Sequence, residues 1–320
     1  MGGSTPHTIN MARLIFVANP AASQFTGEDH REILRLLTRH HRVEAVWPAS
    51  AEDARAIAAD AVTGGFDGVV AMGGDGIVHQ VAQSLVDTDV YLGVLPAGTT
   101  NVFARQVGLP ARPRRAARIF TEEVPVRAWP VVRMSATFTD GSEDVRHAVF
   151  AAGVGVDADV VVEAETEPFR KYRFGAIHYA RTALGLLWRD LRKRRPNLTI
   201  HADGRVTDGI GTMIQFHSAF TYFGRWPLRF VAEPPEAMAV FTIQRLPARR
   251  VASLLRRAVA GSLPEMPGTE VWPRVETVDL EADPPAQVEL DGELVGSITR
   301  ARFEYRPAAL WVVGPPTGSD

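Results

Sequence analysis

Apolar and polar positions follow two periods in the first 120 residues or so. Short apolar runs end at glycine, proline or asparagine, and between them apolar residues recur every three or four positions. Runs of the first kind are typical of buried strands, and the intervening stretches are typical of amphipathic helices. The predicted strands are 14–18, 43–47, 66–72 and 90–95, and the predicted helices are 29–40, an alanine-rich stretch capped by Ser50, and 77–86. Strands that alternate with helices favour a parallel sheet with helices on both faces.

The pattern changes beyond residue 124. Short β-rich segments follow, separated by glycine, proline and aspartate turns and interrupted by predicted helices near 174–194 and 247–260. The β-rich segments are 126–138, 145–156, 197–203, 210–218, 238–245, 287–291 and 297–305. We therefore expect an α/β domain over residues 13–124 and a second, mainly antiparallel β domain over 125–300.

Composition narrows the class of protein. Of 320 residues, 46% are hydrophobic and 22% are charged, and the formal net charge is −2, so nothing indicates a nucleic-acid partner. The chain has no cysteine, which excludes disulfides and thiolate chemistry and fits a reducing compartment. No apolar run approaches the roughly 18 residues of a spanning helix, and the first residues lack a signal-peptide pattern. These features predict a cytoplasmic protein.

The sequence contains only two lysines, Lys171 and Lys193. A Walker A loop needs a lysine after its glycines, and a protein kinase needs one on a strand beside the phosphates. Neither lysine lies in such a context, so both families are excluded.

A glycine-rich loop joins a predicted strand to a predicted helix at Met72-Gly73-Gly74-Asp75-Gly76. Its glycines allow close backbone approach, and the following helix N-terminus favours an anion such as phosphate. A carboxylate at Asp75 would repel phosphates unless a cation such as Mg²⁺ or a ribose hydroxyl accompanied it. The alternative is a simple β-turn in which Asp75 is a local cap.

Two further polar breaks follow predicted strands. One is Leu95-Pro96-Ala97-Gly98-Thr99-Thr100-Asn101, and the other is Asn19-Pro20-Ala21-Ala22-Ser23. Thr99 and Asn101 could hold a nucleotide or cap a helix. Because open α/β sheets bind ligands at the carboxyl ends of their strands, three such breaks at one edge predict a nucleotide site.

These blocks together resemble the catalytic domain of diacylglycerol kinases, which bacterial lipid kinases and sphingosine kinases share. The likeness spans roughly residues 13–313. It rests on Gly73-Gly-Asp-Gly76, Pro96-Ala-Gly-Thr-Thr-Asn101 with Phe103-Ala-Arg105, Gly153-Val-Gly-Val-Asp157-Ala-Asp159 and Glu289-Leu-Asp291-Gly-Glu293. The resemblance implies a nucleotide-binding α/β domain, completed by residues 301–313, and a β-rich lipid-substrate domain. It also implies an ATP- and Mg²⁺-dependent kinase of a lipid hydroxyl, with diacylglycerol giving phosphatidic acid as the default.

The resemblance also implies roles for individual residues. Glu293 matches the proton acceptor, Asp75 and Asp291 would arrange nucleotide-bound Mg²⁺, and Asp157 or Asp159 would contact the lipid head group or cap a helix. The residues expected on ATP are Asn19, Gly73, Gly74, Asp75, Gly76, Ile77, His79, Thr99 and Asn101.

Asp291 and Glu293 stand at i and i+2, which on one strand would share a face. One carboxylate could then hold metal while the other accepts the proton. An exposed Asp-Gly hairpin turn is the alternative.

The sequence departs from the family at three places. Ile77 replaces the usual threonine, and the first loop lacks its usual glycine after Ser23. Many bacterial members carry Asp-Asp-Gly where this chain has Glu236-Ala237-Met238-Ala239, and neither alanine nor methionine ligates Mg²⁺. We therefore expect the accessory structural Mg²⁺ site to be absent.

A lipid substrate requires contact with a membrane surface. Residues 181–195 combine an apolar stripe with a basic cluster, which is typical of a helix that lies on an anionic surface or packs on its own domain. Peripheral contact with the inner face of the membrane and a homodimer are therefore both left open. Two rival functions also stay open, a kinase of a soluble substrate such as NAD and a non-catalytic nucleotide- or lipid-binding regulator.

Overall fold

The computed structural model describes residues 7–9, 11–121, 123–156, 195–231, 236–245 and 266–315, with single positions 158, 253, 256, 257 and 260. The chain divides into two compact units. The first comprises Met1–Val131 and Pro307–Asp320, and the second comprises Val132–Arg306. From the sequence we expected the boundaries between the two units near residues 124 and 300. Most of the two predicted helices near 174–194 and 247–260 lies outside the described residues.

The first unit alternates strands with helices, as the periodicity predicted. Its strands include β1 (His7–Ile9), β2 (Arg13–Ala18), β3 (Arg42–Val46), β4 (Gly68–Gly73) and β5 (Tyr91–Pro96). Its helices are α1 (Gly27–His40), α2 (Ala51–Thr63), α3 (Asp75–Leu85), α4 (Val102–Val107) and α5 (Pro113–Ala116), followed by a 3₁₀ turn at Ala117–Phe120. Ser50 caps α2, because its hydroxyl accepts the N–H of Asp53 at 3.2 Å.

The second unit is built of antiparallel strands, two of which, β6 and β17, extend into the first unit. The strands are β6 (Val124–Phe138), β7 (Glu143–Ala148), β8 (Ala151–Gly155), β9 (Leu198–Ala202), β10 (Arg205–Gly209), β11 (Gly211–Gln215), β12 (Thr221–Phe223), β13 (Trp226–Leu228), β14 (Met238–Ile243), β15 (Thr269–Val275), β16 (Thr277–Leu290) and β17 (Glu293–Val313). The single strand predicted over 145–156 is two strands. The sequence did not predict β10, β12, β13, β15 or the first half of β16.

The parallel sheet of the first unit has the strand order β3-β2-β4-β5-β17. The last residues of β17 close this sheet, with Val312 paired to Leu92 in parallel. Every residue of β4 and β5 is buried. Leu14, Phe16 and Met72 share one core with α1, α5 and the 3₁₀ turn, while the alternate face meets α2 and α3. The predicted α/β class with helices on both faces is therefore confirmed.

The second unit buries a separate core between its antiparallel strands. The order β15-β14-β11-β8-β16-β17 continues through antiparallel pairs, β9 pairs with the first half of β16, and β6 pairs with β7. The register of β16 shifts between Glu281 and Ala286, so its two halves meet different partners. The predicted mainly antiparallel second domain is confirmed. Among the described residues, no helix is long and apolar enough to cross a membrane.

Candidate active site

The three polar loops meet at one edge of the parallel sheet. β2, β4 and β5 end side by side, since Ala18 pairs with Met72 and Gly73 pairs with Pro96. The backbone then ties the loops together. Asn19 donates its N–H to Met72 O at 2.9 Å, and Ala97 donates to Gly73 O at 2.8 Å. The loops therefore form one continuous rim, as their position after parallel strands predicted.

Gly74 and Gly98 bring the loop over 72–76 and the loop over 95–101 into direct backbone contact. A Cβ atom on Gly98 would lie 2.5 Å from Gly74 Cα and 2.9 Å from Asn101 Oδ1. Any side chain at position 98 would push the two loops apart. Glycine at position 98 is therefore required for the two loops to meet backbone against backbone.

Asp75 links the same two loops through its side chain. Its Oδ2 accepts the N–H of Val102 at 3.0 Å, and its Oδ1 accepts the N–H of Phe103 at 3.1 Å. These are the first two residues of α4, so Asp75 caps a helix that follows it by 27 positions. The amides give the carboxylate partners of positive polarity without a cation. The role of Asp75 toward Mg²⁺ or ribose stays a prediction.

The other polar side chains of the loops also bond within the rim. Asn101, at a left-handed φ of 50°, accepts from Gly98 N–H at 2.9 Å and donates to Gly98 O at 2.8 Å. Ser23 Oγ and Thr99 Oγ1 are 3.0 Å apart, and Asn19 Oδ1 accepts the N–H of Ala21 at 2.9 Å. These bonds fix the shape of the loops before any ligand binds.

The N-terminus of α3 is the part of the rim best suited to phosphate. Its N-cap is Gly74, which offers no side chain to cap the first turn. Ile77 and His79, both predicted on ATP, have buried side chains, and Ile77 Cγ2 lies 2.6 Å from the position of a Cβ on Gly73. Contact between this segment and a nucleotide would therefore come from the backbone of its first turn.

The acidic block of the second unit is a tight hairpin. Leu290 pairs with Glu293, and the two residues between them, Asp291 and Gly292, have φ values of 58° and 79°. This is the geometry of a two-residue type I′ turn, for which Asp-Gly is a preferred pair. The expectation that Asp291 and Glu293 share one face of a strand was wrong, because Asp291 lies in the turn and only Glu293 lies on a strand.

Asp291 is buried, with 2% of its surface exposed, and its carboxylate accepts backbone N–H groups. The donors are Val149, Phe150 and Ala151, at 2.8–3.1 Å, where β7 gives way to β8. This contact explains why the predicted single strand divides, since residues 149 and 150 leave the ladder to face Asp291. The predicted metal role of Asp291 is untested, and the geometry gives it a structural one.

Glu289, to which the sequence motif assigned no role, also supports the hairpin turn. It is buried in β16, and its Oε2 accepts the N–H of Gly292 at 2.7 Å. Glu293 is half-buried at the first position of β17. The spacing of Glu289, Asp291 and Glu293 was visible in the sequence, but it gave no sign that two of the three carboxylates brace the turn.

The sequence also predicted roles for residues that the structure does not describe. Asp157, Asp159 and the basic stretch 181–194 lie outside the described residues. Within the described ranges, no three histidine, aspartate or glutamate side chains form a metal-binding group. At the expected position of the accessory Mg²⁺ site, Ala237 and Met238 are buried and Glu236 forms an ion pair with Arg274. The absence of that site stays a prediction.

A known family model matches most of the first unit. Residues 13–129, which contain all three loops, match the model of the diacylglycerol kinase catalytic domain. This segment is similar to that catalytic domain. The resemblance inferred from the glycine loops is thereby confirmed.

Relatives and solved structures extend the likeness beyond the kinase domain. A "Diacylglycerol kinase" of Mycobacterium tuberculosis is 28% identical over 290 residues, which is 90% of this chain and 90% of the relative. A "Probable lipid kinase YegS-like" of Pseudomonas putida is 28% identical over 278 residues, 84% of this chain and 83% of the relative. The crystal structure of a diacylglycerol kinase from Bacillus anthracis shares the fold, with a TM-score of 0.71, 17% identity and coverage of 95% and 97% of the two chains.

A more distant likeness shows the fold alone. Yeast NADH kinase, solved with NADH, superposes with a TM-score of 0.52 at 10% identity, over 98% of this chain and 85% of the other.

Proposed function

We propose that this protein transfers the γ-phosphate of ATP to the hydroxyl group of a lipid, with diacylglycerol as acceptor and phosphatidic acid as product. The observation that carries the proposal is the backbone contact between the loops at Gly74 and Gly98, beside the N-terminus of α3 and inside the segment that matches the kinase family model. The relatives that align over most of both chains bear the names diacylglycerol kinase and lipid kinase.

The glycine loop and the N-terminus of α3 would hold the phosphates of ATP. Backbone N–H groups of the first turn of α3, from Gly74 to Ile77, would hold the phosphate chain, and Thr99 and Asn19 border the same rim. Mg²⁺ carried by ATP would neutralise charge on the transferred phosphoryl group. Asp75, by keeping α4 against the glycine loop, would maintain the shape of these loops.

The reaction needs a group that removes a proton from the lipid hydroxyl. The hydroxyl oxygen forms a bond to the γ-phosphorus, the bond to the oxygen of ADP breaks, and a base takes the hydroxyl proton. We assign that base to Glu293, at the end of the hairpin that Asp291 and Glu289 brace. Asp157 and Asp159 remain our candidates for the lipid head group.

The acceptor also sets where the enzyme works. Diacylglycerol lies in a bilayer, so we propose a cytoplasmic enzyme that touches the inner face of the membrane without spanning it. The basic stretch 181–195 is the proposed point of contact, because cationic amphipathic segments bind anionic lipid.

Replacing Glu293 by glutamine tests the proposed base. We expect Glu293→Gln to lower turnover about 100-fold or more, because general-base catalysis contributes about 10²–10⁴-fold. ATP affinity, measured by calorimetry, should stay unchanged. Glu304→Gln, the same change on the same strand in an ion pair with Arg133, is the control and should keep its turnover. Unchanged turnover in Glu293→Gln would remove Glu293 from the mechanism.

A further inference from the structure

An aromatic cluster lies beside the nucleotide loops of the first unit. It consists of Phe16, Phe25, His30 and Trp47. The Phe16 and His30 rings stack at 5.1 Å, the His30 and Trp47 rings are 4.3 Å apart, and Phe25 meets Trp47 edge-on at 5.6 Å. None of these residues was singled out by the sequence motifs.

The aromatic cluster is joined directly to the rim that carries the glycine loops. Phe25 ends the loop that begins at Asn19. Its neighbour Gln24 donates an N–H to Ala97 O at 2.8 Å, and Ser23 Oγ lies 3.0 Å from Thr99 Oγ1. Trp47 follows β3, which ends level with β2 because Val46 pairs with Val17. The cluster therefore continues the same carboxyl edge by one strand, from β2 to β3.

The rings of the aromatic cluster differ in solvent exposure, from fully buried to half-exposed. Phe16 is fully buried, His30 is buried, and Trp47 keeps 47% of its surface exposed. Burial lowers the pKa of His30 below its ordinary value of 6.5, so its ring is neutral at pH 7 and offers Trp47 an uncharged face to pack on. Trp47 is thus an indole fixed from behind and open in front, which is the form of a stacking surface for a flat ring.

A nucleotide held by the glycine loops extends along the sheet edge on one side or the other. Toward β3, the strand order ends and the aromatic cluster is the next feature of the rim. Bases stack on exposed aromatic rings irrespective of their hydrogen-bonding edges. Resting on the proposed use of ATP, we propose that Trp47 stacks against the base of the bound nucleotide, so that the phosphates lie on the glycine loops and the base lies over the end of β3.

The test separates the base from the phosphates by using two ligands. Binding of ATP and of inorganic tripolyphosphate, which lacks a base, is measured by calorimetry on the full chain and on Trp47→Ala. We expect Trp47→Ala to weaken ATP binding about 10- to 100-fold and to leave tripolyphosphate binding unchanged. Trp226→Ala is the matched control, since Trp226 lies in the second unit with 49% of its surface exposed, and it should bind both ligands normally.

A second variant shows whether any loss of ATP binding in Trp47→Ala comes from a loss of folding. Trp47→Phe keeps a stacking ring and should retain most of the ATP affinity, while the change in tryptophan fluorescence that ATP causes in the wild type should be lost. Trp47→Ala with wild-type ATP affinity would overturn the proposal. So would a Trp47→Ala variant that loses only its binding to phosphatidylglycerol vesicles, because Trp47 would then contact lipid. A wild type that binds neither ligand would instead contradict the proposed function itself.

Discussion

The glycine-loop rim of the first unit and the acidic hairpin of the second use an aspartate in the same way. Asp75 accepts two backbone N–H groups at the start of α4, and Asp291 accepts three where β7 gives way to β8. The difference is burial, since Asp75 is half-buried and Asp291 is 2% exposed. If the carboxylate were removed, water could accept some of the N–H groups that Asp75 accepts but few of those that Asp291 accepts. The stability of the hairpin therefore depends more on its aspartate than the stability of the rim does.

An acidic residue in a glycine-rich loop can have its charge compensated by backbone N–H groups and not by a cation. A carboxylate in a glycine-rich loop suggested a cation, because like charges repel. The structure shows that the N–H groups of a helix or of a strand junction provide the compensating positive polarity. A carboxylate in such a motif can therefore shape the site without touching the ligand or a metal.

The largest effect is expected at the hairpin. Asp291→Ala leaves three buried N–H groups without their acceptor, and we expect it to lower the free energy of unfolding by about 3–5 kcal/mol. Asp291→Asn keeps one acceptor oxygen and should lose about half as much. Urea-induced unfolding, followed by circular dichroism, measures both.

The second unit provides a control for this prediction. Asp203 and Gly204 form the same two-residue turn between β9 and β10, with φ values of 51° and 73°, but Asp203 is exposed and pairs with Arg205. Asp203→Ala should cost less than about 1 kcal/mol, because a surface ion pair contributes little. Equal losses at the two positions would show that the turn conformation matters and the buried amides do not.

A smaller effect is expected at the rim. Asp75→Ala removes the cap of α4, and we expect the free energy of unfolding to fall by about 1–2 kcal/mol, the usual cost of losing a helix cap. Affinity for ATP should fall as well, because α4 and the Gly98 loop lose their connection to the glycine loop. Thermal unfolding and calorimetry with ATP give the two values.

Asp60→Ala, at an exposed aspartate of α2, is the control for the rim and should change neither quantity. If Asp75→Ala keeps its stability but abolishes turnover, Asp75 acts on the nucleotide or its metal. The comparison between the two aspartates would then fail.

The alternation of periods predicted the class of both units, because strands such as β4 and helices such as α1 bury apolar residues at regular spacing. The loops were also predicted from the sequence, because a glycine-rich segment between a strand and a helix can be recognised from neighbouring residues alone. The partners of Asp75 and Asp291 could not be predicted, because they lie 27–28 and 140–142 positions away. The aromatic surroundings of Trp47 could not be predicted for the same reason, because the rings behind it come from β2, α1 and the loop before α1.

The central claim is that the protein phosphorylates a lipid. The most direct measurement is the transfer of labelled γ-phosphate from ATP with Mg²⁺ to micelles of diacylglycerol, a sphingoid base, ceramide or phosphatidylglycerol, alongside NAD and a sample without acceptor. We predict label in phosphatidic acid from diacylglycerol and none in NAD. Label in NAD alone would contradict the lipid assignment, and ATP binding without transfer to any acceptor would identify a non-catalytic regulator.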